Sequence, residues 1–266
     1  MIGATFVVVV LLVAVIGPYF APHSPTVPVG SPLAGPSSTS PLGTDFIGRD
    51  VLTRVLWGGR SVIGLALAAT LLAYAAGVTI GLIAGYRRSV ADPILMRSVD
   101  VLLAFPPLLF LLVLVTAVGT SLTALVIGVA LVQMPGIARL VRTVTLETSV
   151  RGYVEAAVCR GENTAAIMRR EILPSILPSL IADAGLRFTF SVLFIAAANF
   201  LTIGLQPPAA DWALMISENR HYISINPWAV AAPAAMIAAL TIGVNLVGDA
   251  IARSLGRSSF GIGTAL

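Results

Sequence analysis

Apolar residues gather into six runs, at 2–20, 62–84, 99–118, 122–140, 176–200 and 228–247, and polar residues concentrate in the segments between them. A helix needs about 20 consecutive apolar residues to cross a hydrocarbon core of about 30 Å, so each run predicts one membrane-spanning helix with some tilt. The expected fold is all-α and integral to a membrane, with six transmembrane helices. Run 2–20 carries neither a basic leader nor a small-residue cleavage site. It therefore reads as a retained span, not a cleaved signal peptide.

The polar segments differ from one another. Pro22, Pro25, Pro28, Pro32 and Pro36 recur through 21–40 and predict an extended connecting loop. Segment 151–174 is the longest polar stretch between two apolar runs, and it has helical character. Positions 153–159 hold good helix formers, with Ala156 and Ala157 expected to present a small surface that another chain can approach. Gly161 can end that helix in a left-handed conformation, and Asn163 or Thr164 can cap the next. The second helix is expected to run to Leu173, and Pro174 suits the first turn of a following membrane helix.

Composition sharpens this picture. The 266 residues are 57% hydrophobic and 11% charged, with mean hydropathy +0.96, outside the range of soluble domains. The net charge of +4 comes from scattered basic residues between spans, which fits the positive-inside rule and excludes a nucleic-acid-binding face. With the N-terminus inside, Arg87, Arg88, Arg97, Arg139, Arg142, Arg151, Arg160, Arg169, Arg170, Arg253 and Arg257 are cytoplasmic. Arg49, Arg54, Arg60 and Arg220 then face out, and Arg187 falls within a span. Both termini are thereby expected in the cytoplasm, and segment 151–174 with them. All sixteen basic residues are arginine. A chain without lysine cannot hold a Walker A nucleotide loop, so any ATPase is another polypeptide. Cys159 is the single cysteine, which excludes an internal disulfide and a cysteine-based metal cluster.

Glu155-Ala156-Ala157, then Gly161, then Ile172-Leu173-Pro174 resembles the EAA loop of binding-protein-dependent ABC importer permeases. Segment 41–61, PLGTDFIGRDVLTRVLWGGRS, is similar to the stretch before the second span in permeases of the dipeptide, oligopeptide and nickel class. Read without that resemblance, Asp50 and Arg54 at i,i+4 predict an interfacial amphipathic helix. Segments 200–208, Asp211-Trp212, Asn226-Pro227-Trp228 and 245–249 look like further stretches of the same class. The chain departs from it in lacking a basic leader, in Ile195 where a glutamate is common, and in Thr202 where a glycine is usual.

The resemblance implies a type I ABC importer permease. Residues 1–60 would form the first span, an external loop and an interfacial segment, and 61–266 the permease core, with the coupling loop at 142–174. Glu155, Ala156, Ala157, Arg160, Gly161, Glu162, Leu173 and Pro174 would form the ATPase-coupling site. The implied partners are a second, homologous permease, two ATPase subunits or one fused ATPase, an external solute-binding protein and the lipid bilayer. ATP and magnesium would bind those ATPases, and this chain would carry no cofactor, metal or catalytic residue. Peptides are the leading cargo, with nickel chelates or haem as alternatives.

Four polar positions within spans are candidate site residues. Asp183 and Arg187 share a helix face at i,i+4 and read either as a pathway-lining pair or as a structural pair near the interface with a snorkelling arginine, the latter preferred. Gln133 and Asn199 read equally as interhelical hydrogen bonds or substrate contacts. His23 and His221 read as loop residues, too far apart for an intramembrane zinc protease motif. An ion-coupled secondary transporter would want inverted repeats and midplane ionisable residues, of which the sequence offers little.

Overall fold

The computed structural model describes residues 2–87, 91–201 and 203–260, without the side chains of Ile2, Ala252 and 255–260. Arg88, Thr202 and the Arg257 side chain, discussed above, lie outside what is described. The helices are α1 (Ile2–Ile16), α2 (Val51–Tyr86), α3 (Ala91–Leu103), α4 (Pro107–Val118), α5 (Leu122–Ser149), α6 (Gly152–Cys159), α7 (Thr164–Ile167), α8 (Leu173–Phe200), α9 (Trp212–Asn219) and α10 (Trp228–Phe260). Four are long and apolar enough to cross a membrane: α2, α5, the continuous 164–200 helix containing α8, and α10. The bent α3/α4 pair makes a possible fifth. The sixth expected position is held by α1, which at 15 residues is about 22 Å long and shorter than a full crossing.

Three elements differ from expectation. The run 99–118 is two helices meeting at 90°, because Pro106 and Pro107 cannot continue α3: the first restricts the residue before it and the second starts α4. Helix α2 begins at Val51, not at 62. The Asp50 side chain accepts from Thr53 N at 2.9 Å and caps it there, so the interfacial segment and the boundary expected at 60/61 are absorbed into one 36-residue helix. Helix α7 does not stop before the membrane either. It runs through a widened π turn, Met168–Ile172, into α8. Pro174 offers no N–H to the carbonyl of Arg170 and crowds it, and the π turn makes room at that point.

Packing centres on α2 and α5. Gly77, Gly81 and Gly85 repeat every fourth residue on one face of α2, and a Cβ on any of them would lie 2.6–2.8 Å from atoms of Ile137, Ala138, Val141 or Thr145 of α5. That spacing lets the two backbones approach closely, the packing mode available where lipid removes the hydrophobic drive between helices. Helix α8 lies against both, and α10 against α8. Helix α1 crosses α10 at Gly3 and Gly243, and its C-terminal carbonyls at Ala14 and Val15 accept from Arg60 Nε and Nη2 at 3.1 and 2.7 Å. The two ends of the bundle are unlike. One is loop-rich, carrying 17–50 and 201–227. The other carries the α6–α7 hairpin.

Candidate functional site

The hairpin is built by local rules. Helix α6 ends in a Schellman arrangement: Glu162 N donates to Ala157 O at 3.2 Å and Gly161 N to Val158 O at 2.9 Å, with Gly161 at φ +77°. This is the backbone state glycine takes without steric cost. Asn163 Oδ1 then accepts from Ala166 N at 2.8 Å and caps α7. The inner faces of the hairpin bury Val154, Ala157, Ile167 and Ile172 with Ile137 and Val141 of α5 and Ile176 of α8. Tyr153 Oη donates to Ser175 Oγ at 2.8 Å and ties α6 to the start of α8. The hairpin is thus mounted rigidly on two spanning helices.

Of the residues expected to meet a partner, Glu155, Ala156, Arg160, Gly161 and Pro174 are exposed, and Glu162 and Leu173 are half-buried. Ala157 is fully buried. It packs inward, so the small outward surface rests on Ala156 alone, beside Val158 and Tyr153, which are 53% and 39% exposed. Their outward position follows from helix geometry once Val154 and Ala157 are placed inside, since i,i+3 residues share a face. Arg160 pairs with Glu162 at 2.7 Å and lies 3.6 Å from Glu171, a solvent-facing cluster of small energetic weight. Nearby, Arg142 pairs with Asp92 at 2.6 Å and Arg139 with Asp100, joining α3 to α5.

The four intraspan polar residues separate into two groups. Gln133 Nε2 donates to Ser191 Oγ at 2.5 Å, and Ser191 Oγ lies 2.7 Å from Thr70 Oγ1, so Gln133 joins α5, α8 and α2. Arg187 Nε donates to Asp183 Oδ2 at 3.0 Å, and Tyr74 Oη to the same oxygen at 2.8 Å. Because α8 starts at Leu173, this pair lies near the helix midpoint. Asn199 serves the loop-rich end: its Oδ1 accepts from Leu205 N at 2.8 Å and its Nδ2 donates to Asp211 Oδ1 at 2.9 Å.

At that end the motif segments 41–61, 199–212 and 226–228 converge, although the sequence separates them by up to about 180 positions. Asp45 Oδ2 accepts from Arg49 Nε at 2.6 Å and from Arg54 Nη1 at 2.7 Å, and Glu218 Oε2 lies 2.9 Å from Nη2 of each arginine. Both arginines are fully buried, and Arg54 pairs with Asp45 and Glu218, not with Asp50 at i−4. Burial pushes Glu218 up to about 7 against the attraction of Arg49. Trp212 fills the space over Gly58 and Gly59, donating Nε1–H to Val55 O at 2.8 Å. Asn226 Nδ2 donates to Thr44 O at 2.9 Å. His23 is a loop residue as expected, and its backbone N–H donates to Thr53 Oγ1 at 3.3 Å.

Among the described residues no group of three or more His, Cys, Asp or Glu is placed to hold a metal ion. What the molecule offers is a rigidly mounted surface hairpin at one end, a charge-clamped layer at the other and a polar seam between. Comparison with known proteins gives that arrangement a family. Residues 77–259 match the family described as binding-protein-dependent transport system inner membrane component. The chain is 33% identical over 260 residues to the di/tripeptide transport system permease protein DppC of Pseudomonas aeruginosa, covering 95% of this chain and 86% of that one. It is 36% identical over 221 residues to the glutathione transport system permease protein GsiD of Pectobacterium atrosepticum, covering 83% and 73%. In fold it resembles a chain of the MetNI methionine ABC transporter, solved in inward-facing conformations, with a TM-score of 0.62 at 21% identity over 77% of this chain and 96% of that one. With the family match spanning α2 to α10, this chain belongs to the binding-protein-dependent transport system inner membrane components, the multi-pass permeases of ABC importers.

Proposed function

We propose that this chain is one of two permease subunits of an ATP-driven importer of di- and oligopeptides, receiving its cargo from an external solute-binding protein. The observation that carries this reading is the match to peptide-transport permeases along nearly the whole chain, including relatives named for di/tripeptides and glutathione. In this reading α1 with the 3-10 turn Gly17–Tyr19 after it is the first of six crossings and α3/α4 the third, so that the α6–α7 hairpin is cytoplasmic and the charge-clamped layer external. The positive-inside asymmetry supports that orientation. ATP and magnesium bind the partner ATPases, whose closure pushes on 155–163. Because the hairpin is fixed to α5 and runs unbroken into α8, a push there moves two spans together, which is what rocking between inward-open and outward-open states requires.

Reconstitution tests the function. The complex of this chain with a related permease, its ATPases and its binding protein should take up labelled trialanine only when ATP is supplied, and this chain alone should not hydrolyse ATP. Uptake without ATP, or turnover by the isolated chain, would overturn the division of labour. Orientation is checked through Cys159, which is exposed and the only thiol. A membrane-impermeant maleimide should label it in inside-out vesicles and leave it unlabelled in intact spheroplasts.

A further inference from the structure

A groove of about 550 Å³ opens between α1, α2, α8 and α10. Its α2 wall carries Ile63, Leu67 and Leu71, and its α1 wall Val7 and Leu11. Of the residues that line it, only Thr70 and Tyr74 have a polar side-chain atom. Both hydroxyls are already bonded inside the bundle: Thr70 Oγ1 lies 2.7 Å from Ser191 Oγ, and Tyr74 Oη donates to Asp183 Oδ2 at 2.8 Å. The groove therefore offers no free polar partner to a peptide or to water, and an alkyl chain suits it.

Both walls lead to one cation. On α2, Arg60, Ile63, Leu67, Thr70 and Tyr74 follow one another at spacings of three or four and share a helical face, and on α1 Val7, Leu11 and Val15 do the same. Arg60 joins the two helices, donating from Nε to Ala14 O and from Nη2 to Val15 O. The described residues give its Nη1 no hydrogen bond. The guanidinium rests against the rings of Tyr19 and Trp57, 5.5 and 5.8 Å from their centroids, and all three side chains are exposed. An arginine among exposed aromatic rings at the end of an apolar groove is the chemistry of a membrane–water interface.

Dimensions decide what fits below it. From Ile63 to Tyr74 helix α2 rises about 16 Å, and one leaflet is about 15 Å of hydrocarbon deep. A helix of that length and about 10 Å in diameter occupies about 1,250 Å³, more than twice the groove. A partner helix can cover the mouth but cannot enter.

We propose that this groove holds one phospholipid, with its phosphate on the free edge of Arg60 and one acyl chain lying along α2. Nη1 and the remaining N–H of Nη2 are donors on adjacent nitrogens, the geometry that takes two phosphate oxygens together. The chain fills the space between α1 and α8 and braces the short first helix against the bundle. The inference is independent of which cargo the importer carries.

The test uses the assembled transport complex, purified in detergent and stripped of lipid. It is titrated with dioleoyl phosphatidylglycerol and with dioleoylglycerol, which has the chains without the phosphate, and bound lipid is counted by native mass spectrometry. Binding to other subunits cancels between wild type and variants. At the site they differ in, phosphatidylglycerol should bind about ten- to hundredfold more tightly than the diacylglycerol, the weight of a charge-assisted hydrogen bond. Arg60→Gln should remove that preference and leave diacylglycerol binding unchanged. Ala184→Phe fills the groove without touching the bonds of Arg60, and should weaken both lipids even if Arg60→Gln loosens α1. Glycerol 3-phosphate should not compete. Full phosphatidylglycerol affinity in Arg60→Gln, or in Ala184→Phe, would overturn the proposal. Competition by glycerol 3-phosphate at equal concentration would make Arg60 a site for free anions, and binding by the isolated full-length chain but not by the complex would give the groove to the partner permease. Either result would overturn it as well.

Discussion

Arg54→Ala is expected to destabilise the protein by about 3–5 kcal/mol, the cost of removing one partner from a buried charge cluster. Arg54 bonds Asp45 through Nη1 at 2.7 Å and the Ala209 carbonyl through Nη2 at 3.0 Å, with Glu218 at 2.9 Å. All of these side chains are at most 6% exposed. With Arg54 gone, Arg49 alone faces two carboxylates, and the Ala209 carbonyl loses its charged donor. The residue also joins α2 to the 201–211 loop and to α9, so three elements loosen together. Thermal unfolding of the detergent-solubilised chain should shift down by about 10 °C, taking roughly 2–4 °C per kcal/mol for a chain of this size. Arg54→Met combined with Glu218→Gln restores charge balance and should recover part of the loss, because much of the penalty is the unpaired charge and not the missing attraction. A shift of less than about 2 °C for Arg54→Ala would mean that water reaches the cluster and screens it.

This cluster marks the limit of what hydropathy can reveal. Runs 122–140, 176–200 and 228–247 became α5, α8 and α10 because their lengths match a bilayer, and each tolerates one internal proline, Pro135, Pro178 or Pro233. Segment 49–61 reads as surface because it holds three arginines and two adjacent glycines. Yet Arg49 and Arg54 are internal, and Gly58 and Gly59 are small because Trp212 covers them. Burial of a charge depends on partners from distant segments, here Asp45 and Glu218, and no local window contains both. Two other features are encoded locally but were passed over when runs alone were read. Pro106-Pro107 breaks run 99–118 by the ordinary steric rules of proline. The four-residue spacing of Gly77, Gly81 and Gly85 is the signature of close helix packing in a membrane.

The site residues divide the same way. Gly161 and Asn163 were legible because a positive-φ terminus and a side-chain cap are encoded within a few positions. The outward or inward direction of Ala156 and Ala157 was not, since both are small and either could sit at a contact. Only the neighbours Val154, Ile167 and Ile172 decide that Ala157 turns inward. The Asp183–Arg187 pair was legible as a pair by its i,i+4 spacing. Its third member, Tyr74 of α2, was not, because it lies more than a hundred positions away.

Gly161→Val should cut peptide uptake by about tenfold or more while leaving the membrane helices inserted and the unfolding midpoint within a few degrees of the wild type. A valine Cβ would meet no atom within 4 Å, so the damage within this chain is not a clash. It comes from φ +77°, which costs a residue with a Cβ about 1–2 kcal/mol and a β-branched one the most. The α6 terminus can relieve that strain only by giving up the bonds from Gly161 N and Glu162 N to Val158 O and Ala157 O, which turns α6 relative to α7 and displaces Ala156 and Val158 from the surface proposed above to meet the ATPase. Core residues Ala157 and Ile167 stay packed on α5 and α8, which is why stability changes little. A substitution series separates backbone from bulk. Asparagine tolerates the left-handed region, so uptake should fall in the order glycine, asparagine, alanine, valine if conformation governs, and asparagine should be worse than alanine if steric fit in the ATPase groove governs. Glu155→Ala should be milder than any of these except asparagine, since Glu155 is exposed and an exposed ion pair contributes at most about 1 kcal/mol. Uptake and ATPase co-purification at matched membrane abundance provide the readout. Wild-type uptake by Gly161→Val with its ATPases bound would show that force enters the chain elsewhere, and the hairpin would lose its coupling role.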